Sequence, residues 1–287
     1  MKVETYDRLE YEAMQKLPNR IVEASQAITF DRLGYPSRVT STRELWKYAD
    51  AMQELRIEGN YNILYGLTDR EFELVTSVTN RARTITKEHT DREVIPASSV
   101  LRAVIAYRAI KALGKKSILE IGPGSGYLGA ILLDDGYEYY SVENCQGFYL
   151  WQNLLYGSDL WKHQIYWWDY YTKDSSQEGA PPKVDIYVAN HVLNEMHPMA
   201  LRYVLRNAPD TFVIENFGGE VISNTNTTRA VFRDFGYNEA MLGHVMVMHK
   251  SNIPTPSVNH IVINDRWNDL LTLWGGSIPL TEDELFW

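Results

Sequence analysis

Two carboxylates bracket a run of glycines near the middle of this chain. Glu120 closes an apolar stretch, Ser117-Ile118-Leu119-Glu120-Ile121, and Gly122-Pro123-Gly124-Ser125-Gly126 follows it, with Gly129 three residues further on. Glu143 closes a second short apolar run beginning at Tyr139, and Asn144 stands beside it. Glycines at alternate positions let a backbone turn sharply and come close to a ligand that any Cβ would hold off. A helix starting after such a turn points unpaired N–H groups back at that ligand. A carboxylate such as Glu143 offers two acceptor oxygens side by side, suited to the paired hydroxyls of a ribose. Strand, glycine turn, helix, strand and acid are the parts that hold a nucleotide-like cofactor. Glu120, Gly122, Pro123, Gly124, Gly126, Glu143 and Asn144 are therefore expected to line a cofactor site.

Two kinds of cofactor compete for that site, because Gly124-x-Gly126-x-x-Gly129 also satisfies the dinucleotide fingerprint. Glu120 decides between them. It stands two residues before the first glycine, where a pyrophosphate would be repelled in a poorly screened cleft. A ligand carrying an ammonium and a sulfonium would be attracted. S-adenosylmethionine (SAM) has both, so SAM is the expected cofactor. NAD or FAD is the rival, and a Rossmann domain without ligand is the third reading.

Ligands of open α/β sheets bind beyond the carboxyl ends of the strands. Glu120 ends the first strand, Glu143 the second, Asp169 the third and Asn190 the fourth. Trp168 and Asp169 are expected to stack on and hydrogen-bond an adenine, and Asn190 to hold the amino-acid end of the cofactor. Beyond Asn190 come His191 and Glu195. If a helix begins there, the two share a face, and either could take a proton from an acceptor hydroxyl. A metal at His191, Glu195 and His197 matches no established ligand spacing, so none is expected. His249 and His260 read as packing residues of a terminal hairpin.

These groups must be carried by a definite set of elements. Helical patterning near 4–17, 42–56, 68–87 and 98–113 is separated by turn signals such as Leu17-Pro18-Asn19 and Glu58-Gly59-Asn60. Thr68-Asp69-Arg70-Glu71 is a capping box. From Lys116 onward short β-rich runs alternate with helices, which implies a parallel sheet. Strands are expected near 117–121, 138–142, 164–168, 184–189, 211–215, 244–249 and 259–263. Only about ten residues, Pro254 and Pro256 among them, separate the last two, so they should pair antiparallel. The fold expected is α/β, a Rossmann-like sheet of five parallel strands plus a C-terminal antiparallel hairpin. A helical N-terminal cap over 1–95 precedes a catalytic domain over 96–287, and it serves either as a lid or as a homodimer contact.

Composition narrows the acceptor. The net charge is −9 and no basic stripe is present, which argues against nucleic acid as substrate. No apolar run is long enough to span a bilayer. The N-terminus lacks the apolar core of a signal peptide, and one cysteine, Cys145, rules out an internal disulfide. A cytoplasmic location is the expectation. Between Tyr137 and Tyr171 stand 13 of the chain's 35 aromatic residues. Rings with polar tips make good platforms for sugars and flat molecules, so a saccharide or other small-molecule acceptor is favoured.

The run Glu-x-Gly-x-Gly-x-Gly followed by Glu143 resembles motifs one and two of the class I SAM-dependent methyltransferases, over roughly residues 95–265. Ala189-Asn190-His191-Val192-Leu193-Asn194-Glu195-Met196, with the helical N-terminal segment, resembles bacterial sugar O-methyltransferases more narrowly. The wider resemblance implies methyl transfer from SAM. The narrower one implies a saccharide hydroxyl as acceptor, with Asn190, His191 and Glu195 on the acceptor side. The alternatives are methylation of a nitrogen or a phenol on a small natural product, or a non-catalytic binding subunit that retains the fold.

Overall fold

The computed structural model describes residues 1–18, 38–50, 67–157, 163–173, 177, 180–220, 222–242 and 245–251. Helix α1 (Val3–Met14) opens the chain, and a 3₁₀ turn (Thr42–Leu45) leads into the short α2 (Trp46–Ala49). Two longer helices follow, α3 (Asp69–His89) and α4 (Ala97–Ala112). The remainder alternates: β1 (Ser117–Ile121), α5 (Tyr127–Asp134), β2 (Glu138–Glu143), α6 (Gln146–Leu155), β3 (Gln164–Tyr166) and α7 (Trp167–Thr172). It continues with β4 (Ile186–Ala189), a 3₁₀ turn (Leu193–Glu195), α8 (Pro198–Asn207), β5 (Thr211–Ile214), α9 (Thr225–Asp234), β6 (Asn238–Leu242) and β7 (Val245–His249).

The seven strands lie in the order β3-β2-β1-β4-β5-β7-β6. Every pairing among β1 to β5 is parallel, and β7 runs antiparallel between β5 and β6. This is the Rossmann-like sheet of five parallel strands plus an antiparallel hairpin expected from the sequence. β4 and β5 are buried along their whole lengths, as strands covered by helices on both faces must be. The predicted capping box opens α3: Thr68 N–H donates to Glu71 Oε2 at 2.8 Å, and Glu71 N–H donates to Thr68 Oγ1 at 3.3 Å. Arg108 of α4 then donates twice to the same carboxylate, at 2.7 and 2.8 Å, which fixes α3 against α4.

The terminal hairpin departs from expectation. The strand predicted near 244–249 is β7, but its partner is β6 at Asn238–Leu242. The segment predicted at 259–263, with His260, lies outside the described residues. β6 reads Asn-Glu-Ala-Met-Leu and is mostly exposed. It has little strand propensity of its own and exists because β7 offers it a hydrogen-bonding edge. Two further expectations change. β3 stops at Tyr166, and residues 167–172 wind into α7. The helix expected over 42–56 is a 3₁₀ turn plus α2 as far as residue 50; the part from 51 on lies outside the described residues.

The described part of 1–95 shares one hydrophobic core with the sheet. Val3, Tyr6, Leu45, Tyr48 and Val75 belong to the same buried cluster as Leu119, Val142 and Val188. Tyr6 of α1 is fully buried against Tyr149 at 5.0 Å and Trp168 at 5.6 Å, measured between ring centroids. Trp167 Nε1 donates to Glu10 Oε1 at 3.1 Å, and Gln146 Nε2 to Asp7 Oδ1 at 2.6 Å. Much of the aromatic cluster thus packs helices onto one edge of the sheet.

Candidate functional site

The glycine turn is what makes a cavity at the carboxyl end of the sheet. Gly122, Gly124 and Gly126 have φ of 62°, 58° and 75°, the left-handed region that side chains resist. A Cβ on Gly124 would meet nothing within 4 Å, so this part of the turn faces open space. Helix α5 starts directly after Gly126 with no side-chain cap, so the turn and the first N–H groups of the helix face one side. Gly129 serves packing instead. A Cβ there would collide with the ring of Tyr139, so its absence brings α5 down onto β2.

The cavity beneath the turn holds about 1270 Å³ including its mouth. Glu120, Gly122, Pro123, Gly124, Gly126, Glu143, Asn144, Asn190, His191 and Glu195 all line it. Trp168 and Asp169 do not. Because the chain coils into α7 after Tyr166, Trp168 stacks on Tyr166 at 4.5 Å and is buried in the core. Asp169 pairs with Lys173 at 3.1 Å. Tyr170 and Tyr171, the next two residues, reach the cavity in their place.

Four strand ends do converge, though not the four expected. β1, β2 and β4 contribute Glu120, Glu143 and Asn190, and β5 contributes Glu215 where Asp169 of β3 was anticipated. Glu120 accepts from Tyr139 OH at 2.7 Å and from Asn190 Nδ2 at 3.4 Å. Asn190 Oδ1 in turn accepts from Glu215 N–H at 3.2 Å, so one amide ties the ends of β1, β4 and β5. Glu143 accepts from Cys145 N–H at 2.9 Å, Gly124 N–H at 3.1 Å and Gln152 Nε2 at 3.4 Å. Its carboxylate is thereby held against the glycine turn.

The electrostatics are lopsided. Among the described residues, four glutamates face the cavity with one arginine, Arg102, and no lysine. Burial pushes Glu120 up to about 7, with the charges of Glu143 and Glu215 adding to the rise. Burial likewise lifts Glu143 to about 7 against the pull of the Cys145 and Gly124 N–H groups. Glu195 reaches about 7 through burial and the charge of Glu143. Glu215 goes the other way: burial raises it, but the Arg102 guanidinium bonded to it at 2.8 Å helps hold it below the ordinary carboxylate range. A cation bound beside the three raised groups would favour their ionised forms.

No helix begins at Asn190. His191 instead adopts φ 59°, the left-handed region that costs an L-residue about 1–3 kcal/mol. Two contacts hold it there. Its N–H donates to Asn216 O at 2.8 Å, and Gly218 packs so closely on its carbonyl that a Cβ would lie 2.5 Å from the oxygen. The ring Nε2 lies 2.8 Å from Arg102 Nη2 and 3.7 Å from Glu215 Oε1. Arg102 Nε donates to the same Glu215 oxygen at 2.8 Å. His191 and Glu195 therefore reach one cavity through a turn followed by a 3₁₀ segment, and a shared helix face plays no part. His197 caps α8 through its Nδ1, and His249 is buried in β7.

Arg102 and Glu215 are the functional candidates that sequence reasoning missed. Glu215 directly follows an apolar strand, the same signal that marked Glu120 and Glu143. Arg102 interrupts the buried run of α4, where a charge needs a partner.

No protein-family model matches this chain, and no curated protein matches its sequence. Similar solved structures include magnesium protoporphyrin IX methyltransferase from Synechocystis PCC 6803 with bound SAM, at 14% identity and TM-score 0.35, covering 64% of this chain and 99% of that one. Mitomycin 7-O-methyltransferase is 19% identical with TM-score 0.36, covering 62% and 66%. Human N-acetylserotonin methyltransferase in complex with SAM is 11% identical with TM-score 0.36, covering 86% and 68%. Likeness at this level transfers neither residues nor activity.

Proposed function

We propose that this protein is a SAM-dependent methyltransferase acting on a hydroxyl of a sugar or glycosylated small metabolite. One observation carries the cofactor reading: Glu120 and Glu143, both buried, sit at adjacent strand ends beside an open glycine turn, in a cavity whose only cation among the described residues, Arg102, is already paired with Glu215. Such a site repels a diphosphate and favours a cation. Glu143 would take the ribose hydroxyls, and Glu120 with Asn190 the ammonium of the amino-acid end. Val142, Phe148 and Leu128 supply apolar wall for a flat ring. When bound, SAM supplies an electrophilic methyl group on a cationic sulfur.

What the chain adds is alignment, exclusion of water and a proton acceptor. In-line displacement depends on how well acceptor, methyl and sulfur are aligned. The residues before 96 act as a helical cap in this reading. Ser125 Oγ donates to Tyr48 O at 2.9 Å, and Tyr127 OH donates to Ala49 O, which fastens α2 to the cofactor turn. An acceptor hydroxyl must lose its proton, and His191 and Glu195, which both line the cavity, are the two groups to be told apart as its receiver. The buried rings of Tyr170 and Tyr171 back one wall of the cavity, and the net charge of −9 favours an uncharged or cationic acceptor over nucleic acid.

Calorimetric titration with SAM and, separately, with NAD tests the cofactor. SAM binding without NAD binding is expected, whereas NAD binding without SAM overturns the reading. Absence of both favours a ligand-free scaffold. Incubation with labelled SAM and a panel of methyl glycosides, followed by mass spectrometry of the products, tests the acceptor.

A further inference from the structure

We infer that Arg102 is a positioning residue that fixes the His191 ring with its proton on Nδ1, and so withdraws His191 from service as a base. The inference about the tautomer stands on geometry alone, and its consequence for the reaction rests on the methyl-transfer reading above.

A guanidinium has donors and no acceptor. Arg102 Nη2 lies 2.8 Å from His191 Nε2, so the hydrogen bond between them must run from arginine to imidazole. Nε2 therefore contributes a lone pair, and the ring proton sits on Nδ1. Glu215 cannot reverse this. Its Oε1 lies 3.7 Å from Nε2, beyond hydrogen-bond reach, and already accepts from Arg102 Nε at 2.8 Å.

The three side chains come from α4, the turn after β4 and the end of β5. Each is partly or largely shielded, with side-chain exposures of 18% for Arg102, 28% for His191 and 8% for Glu215. The strained backbone of His191, pinned by Asn216 and Gly218, delivers the ring to this arrangement. Strain of this kind persists only where the surroundings over-determine it.

The nitrogen that would accept a proton is thus already occupied by a permanent cation. A second proton on Nε2 would have to displace Arg102 and then face its charge. Glu195 has no such competitor among its described side-chain contacts and lines the same cavity. It is left as the group to receive the acceptor's hydroxyl proton on a carboxylate oxygen. His191 supplies an N–H donor instead of a base.

The test is nitrogen-15 NMR of histidine-labelled full-length protein at pH 8, with the His191 signals assigned by comparison with His191→Gln. A single form with an unprotonated Nε2 and a protonated Nδ1 is expected. In the double variant Arg102→Met/Glu215→Gln, which leaves no unpaired charge behind, the Nε2–H form should appear as part of a mixture. Arg102→Met alone provides a second reading if it folds. A wild-type ring protonated on Nε2, or a tautomer unchanged in the double variant, overturns the assignment. SAM titration of the wild type alongside separates the two claims. Loss of the tautomer lock with SAM binding intact removes only this inference, and a lock without SAM binding removes only the proposed reaction.

Discussion

Replacing Glu143 with Gln tests the cofactor site most directly, because the change keeps shape and volume while removing one charge. In the protein as it stands, one carboxylate oxygen accepts from Gly124 N–H at 3.1 Å and the other from Cys145 N–H at 2.9 Å. A glutamine must present its amide NH₂ to one of these donors, and its remaining oxygen can serve only one ribose hydroxyl well. Losing one hydrogen bond to a charged group costs about 1.5–3 kcal/mol. At 1.4 kcal/mol per tenfold this predicts SAM binding weakened roughly 10- to 150-fold. Isothermal calorimetry at pH 8 measures it, since both Glu143 and Glu120, lifted to about 7, are ionised there. Wild-type affinity should also fall as pH drops from 7 to 5.5, by up to about tenfold per unit for each carboxylate protonated. The amino group of SAM stays charged across that window, its ordinary value being roughly 7.7–8.0. In Glu143→Gln the slope should be shallower by one group. A variant that folds and binds SAM within about twofold of wild type, with an unchanged pH slope, would show that this carboxylate does not hold the cofactor.

Other outcomes follow from the same geometry. Glu120, Glu143 and Glu195 are raised from 4.5 to about 7, so the folded protein without ligand binds more protons than the unfolded chain between those values. Its stability should therefore decline as pH rises from about 4.5 to 7, and thermal melts of Glu120→Gln should show a shallower decline. Gly129→Ala forces a methyl group against the Tyr139 ring and should lower stability by about 1–3 kcal/mol in urea titrations. Arg108→Met strands the buried Glu71 carboxylate without its bidentate partner. A loss of about 3–5 kcal/mol is expected, and Arg108→Met/Glu71→Gln should recover part of it.

Much of the architecture was legible because local chemistry and tertiary outcome agree. Apolar runs at 117–121, 138–142 and 211–215 become β1, β2 and β5 at nearly those bounds, and Thr68 caps α3 as its spacing requires. Where the two disagree, the sequence misleads. Pro254 and Pro256 look like a hairpin turn, yet the hairpin forms earlier, from a strand of weak propensity. Trp168 and Asp169 look like a strand end, yet the chain coils first and sends Tyr170 and Tyr171 to the cavity.

The order of residues by itself determined the glycine turn, the acids that flank it and the parallel sheet that places them, because each depends on backbone freedom or on periodicity within a few positions. Only the tertiary structure decided the grouping of Arg102, His191 and Glu215. These are separated by 89 residues from Arg102 to His191 and 113 from Arg102 to Glu215. Their meeting depends on how α4 packs beside β5 and on the strained turn at His191. Hydrogen bonds reach about 3 Å, so no pattern along the chain reports which distant donors and acceptors folding will bring that close.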